Sequence, residues 1–207
     1  MSLKRIVPIA LCFLVLLTLC PPGFADGSTI TWTGEAGDGL WSTAGNWEPA
    51  QVPGEGDVAV IPESNTVEIT ENTSATLDCS GEIIVDSGAE LTLTGSSYLR
   101  EGKISLQGED TPGKITVAGT LHWSGGYIEG NGSFTVNPGA EVYIEAEFDV
   151  SLVCPLTNNG QITVNEGVLY LCGGSTAEGG GTGGIRVSSG AYLDFDEGSY
   201  SIGGDLV

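Results

Sequence analysis

Few side chains in this 207-residue chain have chemical capacity, and their spacing is what gives them meaning. The single histidine, His122, stands in "TLHW"; Tyr143 stands in "EVYI" and Tyr170 in "VLYL". Each lies on an alternating stretch between apolar residues, so each points away from whatever those residues bury. A His122–Tyr143–Tyr170 stripe can stack on sugar rings, or it can stack on itself and stiffen a sheet. Asp194 and Asp196 lie two residues apart on one strand, as do Glu145 and Glu147. Paired carboxylates serve calcium binding or acid–base cleavage of a polysaccharide. The chain carries 27 Asp plus Glu against 6 Lys plus Arg, so a solvated acidic face is the simpler account of both pairs. No base or arginine is placed beside them, and His122 has no nucleophile motif near it. Catalytic residues are therefore not assigned. The one cofactor considered is calcium, held weakly at Asp194 and Asp196.

Charge and cysteine usage narrow the classes further. A net charge of −21 repels phosphate backbones, which excludes nucleic acid as a partner. Lys4 and Arg5 precede an apolar run from Ile9 to Leu19, and small Gly23 and Ala25 follow. This is the build of a signal peptide over residues 1–25, too short to favour a membrane-spanning helix. No other stretch is apolar enough to span. The reading is therefore a secreted protein, extracellular or at the cell surface. Cys79, Cys154 and Cys172 remain beyond that segment. Three thiols allow at most one bridge, and Cys154 with Cys172 is the expected pair.

The positions of these groups depend on a repeated phrase. It recurs as "IIVDSGAELTL" from Ile83, "ITVAGTLHW" from Ile115, "FTVNPGAEVYI" from Phe134, "ITVNEGVLYL" from Ile162 and "IRVSSGAYLDF" from Ile185. Two alternating apolar residues, a glycine, and two more alternating apolar residues read as strand, corner, strand. Gly88, Gly119, Gly139, Gly167 and Gly190 are expected to supply a positive φ. One such unit cannot bury its own apolar side, but stacked copies can. The fold class is therefore all-β, a right-handed parallel β-helix (solenoid) over residues 81–207, continuing past Val207. The alternative is an antiparallel β-sandwich, which also uses many short strands. Stacking the five phrases on one another predicts an outward column of Thr92, His122, Tyr143, Tyr170 and Asp194. It predicts a second column of Ile84, Thr116, Thr135, Thr163 and Arg186.

Residues 26–80 differ, with Trp32, Trp41 and Trp47 set among glycines. A solenoid needs its first edge covered, so an aromatic N-terminal cap with the first strands is expected there. An exposed sugar-stacking platform is the rival role for those tryptophans.

These phrases carry a resemblance. The stretches "NNGQITVNEGVLYLCGG" and "GGIRVSSGAYLDFDEGSYSIGG" resemble the glycine-rich repeats of secreted bacterial autotransporter and adhesin-like β-helix proteins. "VPGEGDVAVIP" and the strand–glycine–strand after it are similar to the eight-glycine extracellular module. The resemblance implies export and a stacked-coil fold. It covers stalks, adhesins and polysaccharide-degrading enzymes alike. The expected function is a non-catalytic structural or adhesive module with surface polysaccharide or matrix as its partner. The alternative is a β-helix polysaccharide lyase or glycosidase, or its glycan-binding module.

Overall fold

The structure, a computed structural model, describes residues 27–147, 149–173 and 182–195. Residues 1–25, read as a signal peptide, and Asp196 lie outside the described residues. Among the described residues the chain forms short strands and one 3-10 turn at Ala44–Asn46. Its first strands are β1 (Thr29–Trp32), β2 (Trp47–Glu48), β3 (Val58–Ile61), β4 (Thr66–Ile69) and β5 (Thr73–Cys79). There follow β6 (Glu82–Val85), β7 (Glu90–Leu93), β8 (Ser96–Leu99), β9 (Lys103–Leu106) and β10 (Lys114–Val117). The middle coils hold β11 (Thr120–Trp123), β12 (Tyr127–Gly130), β13 (Ser133–Val136), β14 (Glu141–Glu145) and β15 (Val150–Val153). The last are β16 (Leu156–Asn158), β17 (Gln161–Glu166), β18 (Val168–Leu171), β19 (Gly184–Val187) and β20 (Tyr192–Phe195).

These strands wind into a parallel β-solenoid with three faces. Face I stacks β3, β5, β8, β11, β14, β17 and β19. Face II stacks β4, β6, β9, β12, β15, β18 and β20. Face III stacks β5, β7, β10, β13 and β16. Every pairing in these stacks is parallel, which excludes the sandwich. Strand β5 belongs to two faces: Thr73–Ala75 pair with β7, and Asp78–Cys79 pair with β8.

Alternation fills the interior. Ile83, Ile104, Ile128, Leu152 and Leu171 lie in register down face II. Leu91, Ile115, Phe134 and Leu156 do so on face III, and Leu99, Trp123, Ile144 and Val164 on face I. All of these are buried. Among the described residues, the polar side chain fully buried in the ladders is Ser97. Its hydroxyl accepts from Leu77 N at 3.1 Å and donates to Thr94 O at 3.0 Å. Leu77 sits where β5 passes from face III to face I without a corner, so the serine answers an amide inside a buried rung.

The five repeated phrases do strand–corner–strand work, but at three different corners. Gly88 turns face II into III, Gly119 and Gly139 turn III into I, and Gly167 and Gly190 turn I into II. Four of them hold the expected positive φ, from 74° at Gly167 to 91° at Gly190. Gly119 does not. It is required because a Cβ there would come within 2.3 Å of the Gly95 carbonyl of the rung below.

The tryptophans face inward at the narrow end. Trp32, Trp41 and Trp47 are at most 4% exposed, which rules them out as a sugar platform. Trp47 meets Trp32 and Trp41 edge to face at 4.9 and 4.7 Å, and its Nε1 donates to Trp41 O at 2.8 Å. Strand β1 covers β3 on face I, and the backbone at Gly39–Trp41 covers β4 on face II. The intervening turn is held by Asp38, which accepts from Asn46 Nδ2 at 2.6 Å, Thr43 Oγ1 at 2.7 Å and Leu40 N at 3.0 Å. The Thr43 hydroxyl foremost, then the Leu40 amide and the Asn46 side chain, lower the Asp38 carboxyl below its usual value.

Two outcomes follow. Gly139 has open space around it, so Gly139→Ala meets only the backbone penalty of about 1–2 kcal/mol, and Gly139→Asn is milder because Asn tolerates that region. At Gly119 the obstacle is the neighbouring rung, so Gly119→Asn is no milder than Gly119→Ala. Denaturant unfolding of the four variants checks this contrast. Asp38→Ala lowers the thermal midpoint at neutral pH. Because the folded-state carboxyl is lowered, its stabilisation is present above the ordinary carboxylate range and lost as pH falls through the folded value. The gap between wild type and variant therefore closes in acid, read from thermal unfolding across pH.

Candidate functional site

The outward side of face I carries a continuous row of polar and aromatic groups. In register it presents Asp78, Tyr98, His122, Tyr143, Thr163 and Arg186. Successive rungs of a parallel sheet bring such groups about 4.8 Å apart, the spacing of stacked rings. Tyr98 and His122 stack at 4.8 Å with planes 13° apart, and His122 and Tyr143 at 5.5 Å with planes 22° apart. The Arg100 guanidinium covers Tyr98 5.0 Å from its centroid. Arg100 also forks onto Asp78, with Nε to Oδ1 at 2.7 Å and NH2 to Oδ2 at 3.1 Å. His122 Nδ1 donates to Glu145 Oε2 at 3.1 Å. Glu141, hydrogen-bonded to Tyr143, holds that phenol above its usual value. A shallow depression of about 330 Å³ flanks the row, lined by Glu63, Ser80, Arg100, Glu101 and Ser124.

Ring orientation decides what this row can do. Both faces of His122 are covered by tyrosines, and Tyr98 is covered by His122 and Arg100. A platform for sugar stacking needs open ring faces, so the row acts first as an internal clamp between coils.

The sequence-based columns mix faces. His122 and Tyr143 are neighbours, but Tyr170 is on face II, in register with Ser151 and Asp194. Thr163 and Arg186 belong with the His122 row rather than with Thr116 and Thr135. Ile84 is on face II. The true threonine column is Ser74, Thr92, Thr116, Thr135 and Thr157 on face III. Tyr98, the missing ring, stands in "LTLTGSSYL", which is also strand–glycine–strand. The phrase goes unnoticed because Ser97 fills the position where an apolar residue is expected.

Asp194 is exposed on face II, and Asp196 lies outside the described residues. Among the described residues, no three histidine, cysteine or carboxylate groups gather as a metal site. Cys154 and Cys172 are not bridged. Leu152 lies opposite Leu171, so Cys172 falls opposite outward Val153 while Cys154, one place on, turns into the core. Burial pushes the Cys79 and Cys154 thiols up to about 12, so neither is a nucleophile.

Compared with protein-family models, curated proteins and solved structures, the chain has no match.

The ring row predicts a measurable coupling. In a double-mutant cycle, Tyr98→Ala and His122→Ala couple by about 0.5–1.5 kcal/mol in unfolding free energy. Tyr170→Ala, on another face, adds to either without coupling.

Proposed function

We infer that the chain is a secreted, non-catalytic β-solenoid module of a cell-surface or exported protein, serving structure or adhesion. The observation that carries this reading is that outward polar and aromatic groups engage one another along the rungs. Arg100 grips Asp78, Lys103 reaches Glu82 at 3.3 Å and Glu129 at 3.0 Å, His122 bonds Glu145, and ring lies on ring. A hydrolytic or lyase centre aims its acid, base and charge-stabilising groups at a common point beside them, where substrate sits. Here the same residue types are aimed at their neighbours, as in a scaffold. Export is supported by the basic, apolar and small-residue segments of residues 1–25. A strongly acidic surface suits an exported protein that must stay soluble and unaggregated.

The test is turnover. The purified chain, incubated with neutral and uronic-acid polysaccharides with and without calcium, is expected to release no reducing ends or unsaturated products. Sustained release that is abolished by Asp194→Ala overturns the reading in favour of a polysaccharide-acting enzyme.

A further inference from the structure

Lys114 stands beside a carboxylate and does not pair with it. It opens β10 in register with Glu90 of β7. Glu90 turns instead to Thr116, whose hydroxyl donates to its Oε1 at 2.6 Å. Arg100 and Lys103 hold carboxylates at 3.3 Å or closer, whereas Lys114 forms no ion pair among the described residues. In a chain this acidic, an ammonium group left unpaired next to a glutamate is an arrangement that needs a reason.

Lys114 lies between two depressions, of about 410 and 230 Å³, that share it and Pro112. The wall between them is the loop 107–113, an insertion at the corner from face II to face III. It is anchored on the previous rung: the Thr111 carbonyl accepts from Gly88 N at 2.6 Å and from Ser87 Oγ at 3.0 Å. Asn131 and Ser133 edge the smaller depression. Beside both runs the column Ser74, Thr92, Thr116, Thr135 and Thr157, a hydroxyl roughly every 4.8 Å along the axis.

We propose that this track on face III binds a linear, carboxylate-bearing polysaccharide, a uronic-acid chain lying along the solenoid axis. The Lys114 ammonium takes a carboxylate, and the threonine column with Asn131 and Ser133 takes sugar hydroxyls. A periodic row of hydroxyls suits a polymer of repeating sugars better than a compact ligand. Glu90 and Asp110 line the larger depression, so the carboxylate seats at the smaller one, where Lys114 is the one charged lining residue; the protein's net charge acts at longer range and is screened beyond about 10 Å at 0.1 M salt. The proposal rests on the adhesive reading above and gives that module its partner.

The experiment titrates the chain with a short oligogalacturonate and with a neutral xylo-oligosaccharide of equal length, at moderate salt, by calorimetry. Products are assayed in the same samples. Wild type is expected to bind the uronate more tightly than the neutral chain. Lys114→Gln is expected to lose about tenfold or more of the uronate affinity, while neutral binding is little changed. Thr135→Val weakens both, and Tyr127→Ala on face II weakens neither. Lys114 is exposed, so its variant folds, checked by an unchanged thermal midpoint. Absence of uronate binding by wild type, or equal binding by Lys114→Gln, overturns the proposal. So does loss on Tyr143→Ala with Lys114→Gln unaffected, which would place binding on face I. Shortened products would sink the non-catalytic reading alone, since the affinities still decide the site.

Discussion

Everything in this molecule depends on one rung lying flush on the next. A strand–corner–strand segment has an apolar side it cannot cover alone, and parallel register lets the same position of the next coil cover it. Ile83, Ile104, Ile128 and Leu152 are buried because each is the floor of one rung and the ceiling of another. Truncating one of them removes contacts in both directions, which places Ile104→Ala within the range of about 2–5 kcal/mol typical of buried aliphatics. The corners obey the same rule. Gly119 is set by the closeness of the rung below and not by its own backbone angles.

The same register that builds the core organises the surface. Outward groups recur in columns, so a polar side chain on an inner rung has two neighbours at sheet spacing. The face II column runs Thr66, Glu82, Lys103, Tyr127, Ser151, Tyr170 and Asp194. Its carboxylates at Glu82 and Asp194 are separated by a cation, aromatic rings and a hydroxyl, which avoids like charges directly opposite one another. Lys103 lies 5.6 Å from the Tyr127 ring while reaching two glutamates, so one side chain ties three rungs. On this face a very acidic chain is thereby made compatible with close stacking, whereas on face I Glu145 and Glu166 meet in register.

The architecture was legible in the sequence because period-two alternation reports which side chains face inward, and a glycine between two such runs reports a corner. Ile83, Val117, Phe134 and Val164 all fall inside as that pattern requires. Alternation does not report which of three faces a strand occupies. Treating the five phrases as equivalent therefore put Tyr170 beside Tyr143, though one is on face II and the other on face I. The ring row was half visible: His122 and Tyr143 were paired, and Tyr98 was hidden by the polar Ser97 in an inward position. The insertion at residues 107–113 carries no periodic signal at all, and its contact with Ser87 and Gly88 is set by the previous rung rather than by local sequence.

The continuous strand β5 has a geometric result. By crossing two faces without a corner it shortens the first turn: 18 residues separate in-register Val60 from Asp78 and 16 separate Val67 from Ile83, against 24 between Tyr98 and His122. The first turn is therefore the tightest, and later intervals on face I vary between 20 and 24 residues without a trend. Such a rod has a head and a tail. At the aromatic-plugged end β1 already takes the edge of β3, and the Gly39–Trp41 backbone takes Glu68 of β4.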